Sequence, residues 1–287
     1  MPSLLDIRRR IRSVKNTRQI TKALKMISAA KLRRAQDRVI AARPYAESMQ
    51  RMLANVAKAV AERNDDELHP LLARRPEEKI QILLVTADAG RAGAFNANLI
   101  RATQKFITDH SKSKVKMELI GRKGRDFFIR RHPDISGEHI GLFQKTPRLE
   151  DARDIAQKVI ERFEKAEIDS VYLVVNHFKS AMAPLIVFER ILPIEPPENT
   201  ENINYIFEQD PVDMLATLLP RFIEGQIFRS LLESSAAEHA ARMTAMDAAS
   251  TKAGEVIDKL TLNMNRVRQA SITREIIEIV SGASALG

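Results

Sequence analysis

The chain has 287 residues, a formal net charge of +9 and no cysteine. Without cysteine it has no disulfide, no thiolate metal site and no cysteine nucleophile. No apolar run reaches the roughly 18 residues that a membrane-spanning helix needs. The composition therefore predicts a soluble or peripheral protein.

Most of the positive charge lies near the N-terminus. Residues 1–40 hold twelve Arg and Lys side chains against Asp6 and Asp37, so the rest of the chain is close to neutral. Three interpretations follow: a basic helix that binds nucleic acid, a mitochondrial presequence, or a basic helix that faces an acidic protein partner. The amphipathic pattern continues unbroken into the body of the chain, which favours the third interpretation over a removable leader.

Both ends of the chain are predicted to be long helices, over residues 1–62 and 209–286. After the helix start at Asp210-Pro211, only Pro220 and two glycines interrupt the pattern before Gly282. Such a helix would be roughly 110 Å long at ~1.5 Å per residue. Helices of this length cannot bury their apolar faces in a small core, so we expect them to pack on each other or on a partner.

The N-terminal helix carries a heptad seam, in which apolar residues recur at alternating spacings of three and four. Between residues 18 and 28 the same register meets polar side chains, including Thr21 and Ser28, and the apolar stripe moves to Ile20, Leu24 and Ile27. This change predicts a stutter that rotates the buried face locally. The seam positions are Ile7, Ile11, Val14, Leu32, Ala35, Val39, Ala42, Ala46, Met49, Leu53, Val56 and Val60.

Two further features shape the end helices. Pro44 interrupts the N-terminal pattern, which predicts a kink or a restart of the helix near Arg43. The C-terminal helix has a seam of small and medium side chains, which allow two helix backbones to approach closely. Its members are Met246, Ala249, Ala253, Val256, Leu260 and Val267.

The middle of the chain, residues 77–200, is predicted to be an inserted Rossmann-like α/β domain with a mostly parallel sheet, because strand and helix patterns alternate there. A weakly structured linker precedes it at residues 64–76, and a short extended piece follows at residues 202–208. The fold class is therefore mixed α+β and α/β: a long coiled coil of the end helices with this domain inserted. The predicted strands are residues 79–86, 115–120, 139–143, 170–176 and 185–194, the last near a sheet edge, and the predicted helices are 97–110 and 149–166.

The patterns that carry chemistry are weak or missing. The turn from Gly90 to Gly93 lacks the third glycine of a dinucleotide fingerprint, and no Walker-type phosphate loop occurs. The segment from Gly121 to Gly124 is interpreted as a solvated turn, with an RNA-binding GxxG loop as the alternative. The six histidines show no paired metal-ligand spacing, and no nucleophile elbow is present. We therefore expect no catalytic residue, cofactor or metal, and no enzyme activity of this chain alone.

Four segments resemble the gamma subunit of F-type ATP synthases. Residues 20–36, ITKALKMISAAKLRRAQ, are similar to that family's N-terminal signature, and residues 268–283, RQASITREIIEIVSGA, to its C-terminal signature. Residues 240–246 and 205–208 match as well. One loop, residues 88–96, departs from the family pattern, because Ala89, Arg91 and Ala92 stand where Arg, Leu and Cys are common. The cysteine-bearing insertion of the chloroplast version is also missing.

The resemblance implies a rotor that forms the central stalk. The end helices would form an antiparallel, left-handed coiled coil inside a ring of three alpha and three beta subunits. The central domain and the lower coiled coil would sit on the c-subunit ring and bind epsilon. Proton flow would turn the ring and the stalk, and so drive ATP synthesis at the beta subunits and help regulate ATPase activity and proton flow. No nucleic acid and no second copy of the chain is expected.

The resemblance also implies a location and contact residues. The expected location is peripheral, on the cytoplasmic face of a bacterial inner membrane, with the mitochondrial matrix face as the alternative. The alternative for each contact residue named below is ordinary coiled-coil surface. For the chain as a whole, the rival function is that of a basic coiled-coil protein that binds nucleic acid. The implied foot contacts are Tyr205 and Glu208. The implied rotor–stator contacts are Lys22, Leu24, Lys25, Met26, Lys31, Arg33, Arg34, Arg242, Arg268, Gln269, Thr273, Glu275, Ile276 and Ile279.

Overall fold

The computed structural model describes residues 3–62, 69–132, 134–180, 183–196 and 208–284. Two compact units divide the chain: Met1–Ser28 with Met243–Gly287, called the tip unit here, and Ala29–Arg242, called the sheet unit. Two long helices contribute to both units, α1 (Leu4–Glu62) and α5 (Pro211–Ser284). The predicted linker residues 64–68 and the predicted extended residues 202–207 lie outside the described residues.

Both long helices begin with a side-chain cap. The backbone N–H of Asp6 donates to Ser3 Oγ at 3.2 Å at the start of α1. At the start of α5, the N–H of Val212 donates to Asp210 Oδ1 at 2.8 Å, and Pro211 takes the first helical position. These caps satisfy N–H groups that have no partner inside the helix, and the predicted start of α5 is confirmed.

In the tip unit the two helices pack antiparallel. Ile7 and Ile11 of α1 form a buried cluster with Ile257 of α5. Further along α1, Lys25 Nζ lies 2.6 Å from Asp247 Oδ1. The partner residue number on α5 falls as the number on α1 rises, so the two helices run in opposite directions. The apolar seam that the sequence predicts is the contact that holds them together.

The predicted stutter between residues 18 and 28 is wrong. Thr21 and Ser28 are buried, while Ile20 and Ile27 are exposed, so the heptad register continues without a phase change. Each hydroxyl donates a hydrogen bond to a backbone carbonyl of α1: Thr21 Oγ1 donates to Arg18 O at 3.0 Å, and Ser28 Oγ donates to Leu24 O at 2.7 Å. A small hydroxyl side chain bonded to its own helix can therefore take a buried position at little cost.

The predicted restart at Pro44 is also wrong. α1 runs as one helix from Leu4 to Glu62 with Pro44 inside it. Pro44 is exposed, and Ala42, Ala46 and Met49 on either side of it are half-buried in the seam. Packing on both sides outweighs the local penalty of a missing N–H and a ring clash.

The sheet unit contains five strands in the order β3-β2-β1-β4-β5. The first four pair in parallel, and the last pairs antiparallel with β4 at the sheet edge. The fold class and the edge position of the last strand are thus confirmed. The strands are β1 (Lys79–Val85), β2 (Lys114–Ile120), β3 (Ile135–His139), β4 (Ser170–Ser180) and β5 (Ala183–Leu192), with helices α2 (Phe95–Asp109), α3 (Arg122–Phe128) and α4 (Leu149–Glu164), and a short 3-10 helix (Pro70–Leu72).

Two local predictions in this unit need correction. The third strand is Ile135–His139 and not 139–143, because Gly141 turns the chain with φ 87°. The segment expected to be a solvated turn begins helix α3. Gly121 has φ 90°, and a Cβ there would meet Thr86 O at 2.0 Å, so only glycine fits. Thr86 Oγ1 accepts from the N–H of Gly124 at 2.8 Å in the first turn of that helix.

Successive residues of β1 pack on opposite faces of the sheet. Ile82 and Leu84 join a cluster with Leu99 of α2. Leu83 and Val85 join the larger cluster, which contains residues of α4 and of both long helices. Val56 of α1 and residues 215–231 of α5 belong to this larger cluster, so the two end segments meet here as predicted. Burial on both faces is typical of a parallel sheet.

Candidate functional site

The strand ends of the sheet, where open α/β sheets commonly bind ligands, are closed by the carboxylate of Asp88. Asp88 Oδ1 accepts from the N–H groups of Arg122 and Gly141, and Oδ2 accepts from the N–H of Phe143, all at 3.0 Å. Three backbone donors that could hold an anionic ligand are therefore occupied by a side chain of the protein itself. Through these three hydrogen bonds the 88–96 loop holds the segments at residues 122 and 141–143 together, and we call this arrangement the Asp88 clasp.

The structure of this loop accommodates the residues that depart from the expected sequence pattern. Ala92 is buried in a small cluster with Ala87, Phe95 and Ala237. Arg91 is exposed and has φ 65°, an uncommon value for a residue with a Cβ. A side chain larger than alanine at position 92 would have to displace Ala237 of α5. The packing of this loop on α5 therefore requires small residues at both positions.

Arg242 links α5 to the same loop. Its guanidinium pairs with Glu238 and donates to Gly90 O at 3.3 Å. Burial raises the pKa of the Glu238 carboxyl, and Arg242 opposes that rise. The pKa of the neighbouring His239 is lowered to about 4 by burial, by Arg242 and by Lys31. Arg242, predicted as a rotor–stator contact, is thus half-buried and positions the loop.

The predicted contact residues at the N-terminal end fall on one stretch of α1 in the tip unit. Lys22 is exposed, and Met26 is 62% exposed. Leu24 and Lys25 are half-buried, and Lys25 is held by its ion pair with Asp247. Both sides of that pair face water, which limits its stability contribution to about 0–1 kcal/mol. The surface here is mixed, with apolar and cationic groups side by side.

Three further predicted cations lie in the sheet unit. Arg33 is exposed. Lys31 and Arg34 line a cleft between α1, α5 and the loop before α4. The structure therefore separates Arg33 from its two neighbours in the predicted set.

The predicted residues at the C-terminal end all lie on the last turns of α5 and are exposed. Ile276 is 55% exposed and Ile279 is 71% exposed. Ile272 and Ile277 add to the same apolar surface. Such a group of exposed apolar side chains is typical of a surface that a partner covers. The other predicted residues here are Arg268, Gln269, Thr273 and Glu275. Of the foot contacts, Glu208 is exposed and Tyr205 lies outside the described residues.

Two polar clusters were missed in the sequence. Fully buried Glu118 accepts from Gln81 Nε2 at 2.7 Å and from Arg162 Nη1 at 3.0 Å, and its second oxygen lies 2.7 Å from His139 Nε2. In the sequence, the pattern that indicates this cluster is a single acidic residue, Glu118, within a predicted buried strand. The cluster fastens β1, β2 and α4 to one another.

The second missed cluster joins the β4–β5 hairpin to α5. His177 lies between Glu189 and Glu233, with each ring nitrogen 3.1 Å from a carboxylate oxygen. The Glu189 carboxylate raises the pKa of this histidine against the opposing effect of burial. Arg229 pairs with both acids. No local sequence pattern pointed to this cluster, because its members come from three distant elements.

Among the described residues, no group of three or more His, Asp or Glu side chains is placed to hold a metal ion. In the same part of the chain, no helix has both the length and the apolar content that crossing a bilayer requires.

An antiparallel pair of helices, a mostly parallel sheet and a group of exposed isoleucines on α5 are the features of a helical subunit that partner proteins cover. The family model described as ATP synthase matches residues 3–286. The ATP synthase gamma chain of Solibacter usitatus is 59% identical over 285 residues, which cover 99% of each chain. The gamma chain of Desulfitobacterium hafniense is 48% identical over the whole of both chains. The chain belongs to the ATP synthase gamma chain family.

Solved structures agree on the fold. A chain of the Euglena gracilis mitochondrial ATP synthase, in a structure of OSCP, F1 and the c-ring, matches with a TM-score of 0.67 at 16% identity. The match covers 99% of this chain and 94% of the other. A chain of the Tetrahymena thermophila central stalk and c-ring matches with a TM-score of 0.62 at 24% identity, and covers 80% and 99% of the two chains.

Proposed function

We propose that this chain is the central-stalk rotor of an F-type ATP synthase, which carries torque from the proton-driven c-ring to the alpha and beta subunits. One observation carries the proposal: in the tip unit the two end helices pack antiparallel on an apolar cluster, and α5 ends in exposed isoleucines. Paired helices resist bending and twisting better than one helix can. Nondirectional apolar contacts at the end present little barrier to turning.

In this function the chain makes and breaks no bond to phosphate. A rotor angle biases a catalytic site only when it contacts the conformations of that site differently. The proposed stator-facing surface of the tip unit combines exposed Lys22 and Met26 with the isoleucines at the end of α5. Arg33 is a further exposed cation, in the sheet unit. The cations would face acidic loops of beta, and the isoleucines would turn in an apolar bearing.

The proposed assembly has three parts: the helix of residues 1–62, the central domain of residues 77–200 and the helix of residues 209–286. The gamma chain is part of the membrane-associated F1 sector. The central domain with Tyr205 and Glu208 would bind epsilon and the c-ring, and we place the complex on the cytoplasmic face of a bacterial inner membrane. The relatives at 59% and 48% identity come from bacteria, which supports that location.

Copurification tests the assembly. Affinity-tagged chain expressed with the alpha, beta and epsilon subunits is expected to retain all three at 500 mM salt, because apolar contacts such as those of the α5 end are insensitive to screening. The rival function, nucleic-acid binding, receives no support from the comparisons. It would be favoured only if the tagged chain retained nucleic acid, lost it steeply with salt, and left the alpha and beta subunits behind.

A further inference from the structure

A cleft in the sheet unit lies between α1, α5 and the loop of residues 143–148. It has an inner part of about 170 Å³ and a more open part of about 750 Å³, which share Arg38, Lys145 and Leu232 in their walls. We call it the basic cleft, because five cationic side chains line it. They are Lys31, Arg34, Arg38, Lys145 and Arg148.

Of the five cations in the basic cleft, Lys31 lies within electrostatic range of a carboxylate, Glu238, and Glu238 is already paired with Arg242. No Asp or Glu lines either part. In residues 29–242 as far as the structure describes them, none of the five cations forms an ion pair with a carboxylate. Elsewhere in the unit, Arg162, Arg190, Arg229 and Arg242 are each paired with a glutamate. A cleft with walls of one sign focuses the field and concentrates counter-ions.

The spacing of the cations matches an extended anion. Lys31, Arg34 and Arg38 are three and four residues apart, so they lie on one face of α1 along roughly 10 Å of its axis. Like charges at this spacing repel each other along a helix, and a bound anion would relieve that repulsion. Lys145 and Arg148 approach the same space from the loop on the opposite wall.

The rest of the lining suits an organic phosphate. Phe143 and Pro147 line the inner part, and Phe228 and Leu232 line the wider part. His239 closes the inner part. Its low pKa keeps the imidazole neutral at pH 7, so its ring can donate one hydrogen bond to a phosphate oxygen. The inner part is too small for a helix of a protein partner, which is about 10 Å across.

We propose that the basic cleft binds a ligand with a chain of phosphates, either a nucleoside triphosphate or inorganic polyphosphate. The phosphates would lie along the cations of α1, and a base would pack on the apolar part. The basic cleft shares Lys31 and Arg34 with the predicted rotor–stator contacts. Arg38 and Lys145 belong to the basic cleft alone, so they are the positions to change.

Calorimetric titration of the full-length chain tests the proposal, with tripolyphosphate, ATP and AMP as separate probes. Arg38→Gln and Lys145→Gln are each expected to weaken tripolyphosphate binding about tenfold, because each removes one charge-assisted contact. Both side chains are exposed, so the fold is retained. Arg43→Gln is the matched control: it makes the same change on the same helix at an exposed position outside the cleft lining, and binding should stay unchanged.

Two comparisons complete the test. Tighter binding of ATP than of tripolyphosphate would assign the apolar part to the base, and equal binding would assign the site to the phosphate chain alone. Bound phosphate should also raise the His239 pKa from about 4 in an NMR titration. The proposal is overturned if neither polyphosphate probe binds at about 1 mM, or if Arg43→Gln weakens binding as much as Arg38→Gln. Either result leaves the rotor function untouched.

Discussion

Replacing Glu118 by alanine is expected to lower the free energy of unfolding by about 3–5 kcal/mol, the cost of removing one partner of a buried ion pair. The substitution removes the acceptor of Gln81 Nε2 and the carboxylate that pairs with Arg162. Glu118→Gln keeps the shape and one acceptor oxygen, so the expected loss is smaller, about 1–3 kcal/mol. Urea unfolding of the full-length chain measures both values, and hydrogen exchange of β1 and β2 locates the loss.

The matched control is Glu138→Ala on the neighbouring edge strand. Glu138 pairs with Arg125 at 3.0 Å, and both side chains are about a third exposed, so its removal should cost less than about 1 kcal/mol. If Glu118→Ala and Glu138→Ala proved equally mild, the buried cluster would not be what fastens β1, β2 and α4 together.

Deleting Ile276 to Gly287 is expected to reduce the torque on a load strongly while the alpha and beta subunits still assemble around the chain. The deletion removes Ile276, Ile277 and Ile279, whose exposed side chains would each contribute roughly 1.5–3 kcal/mol when a partner buries them. The seam between Ile7 and Ile257 is untouched, so the paired helices remain. Torque can be measured from the rotation of a load attached to the chain in the assembled complex.

A triple substitution separates the apolar contact from helix length. Changing Ile276, Ile277 and Ile279 to serine keeps the full length of α5 and should reproduce most of the torque loss. Arg274→Ser, also exposed near this end and outside the predicted contact set, removes no apolar contact and serves as the comparison. Complete loss of the alpha and beta hexamer in the truncated strain would show that this end acts in assembly and contradict a bearing role.

Most of the fold follows from patterns that the sequence carries locally. β1 and β4 are rich in Ile, Leu and Val and are buried on both faces. Such runs are recognisable from the sequence alone, without knowledge of the neighbouring strands. β3 is different, because Ile135–His139 is an edge strand with half-buried side chains and no apolar run. The apolar residues just after it, Leu142 and Phe143, instead pack on the larger core from a loop that Gly141 has already turned.

The errors have two causes: a deciding contact that is distant in sequence, and a hydrogen bond within one helix that satisfies a polar side chain. Helix α3 depends on Thr86, which caps it from 38 residues away. The register between residues 18 and 28 depends on Thr21 and Ser28, whose polarity suggests exposure until their hydroxyls are seen bonded to their own helix. The polarity of a side chain is visible in the sequence, but the hydrogen bond that satisfies it within the helix is not.

The candidate site was predictable in part. The predicted contact residues that the structure describes are mostly exposed, but exposure alone does not assign a partner, and their roles stay predictions. Arg242 was expected at a stator contact, yet its described partners are Glu238 and Gly90 O of the same unit. The Asp88 clasp and the basic cleft were not predictable, because each gathers side chains or N–H groups from three separate elements.

A rotation assay tests the central claim most directly. The chain would be assembled with the alpha and beta subunits fixed to a surface, with a bead on the sheet unit and ATP in solution. The rotor function predicts continuous rotation in one direction, with three pauses per turn for the three beta sites. A complex that hydrolyses ATP at an undiminished rate while the bead stays still would contradict it.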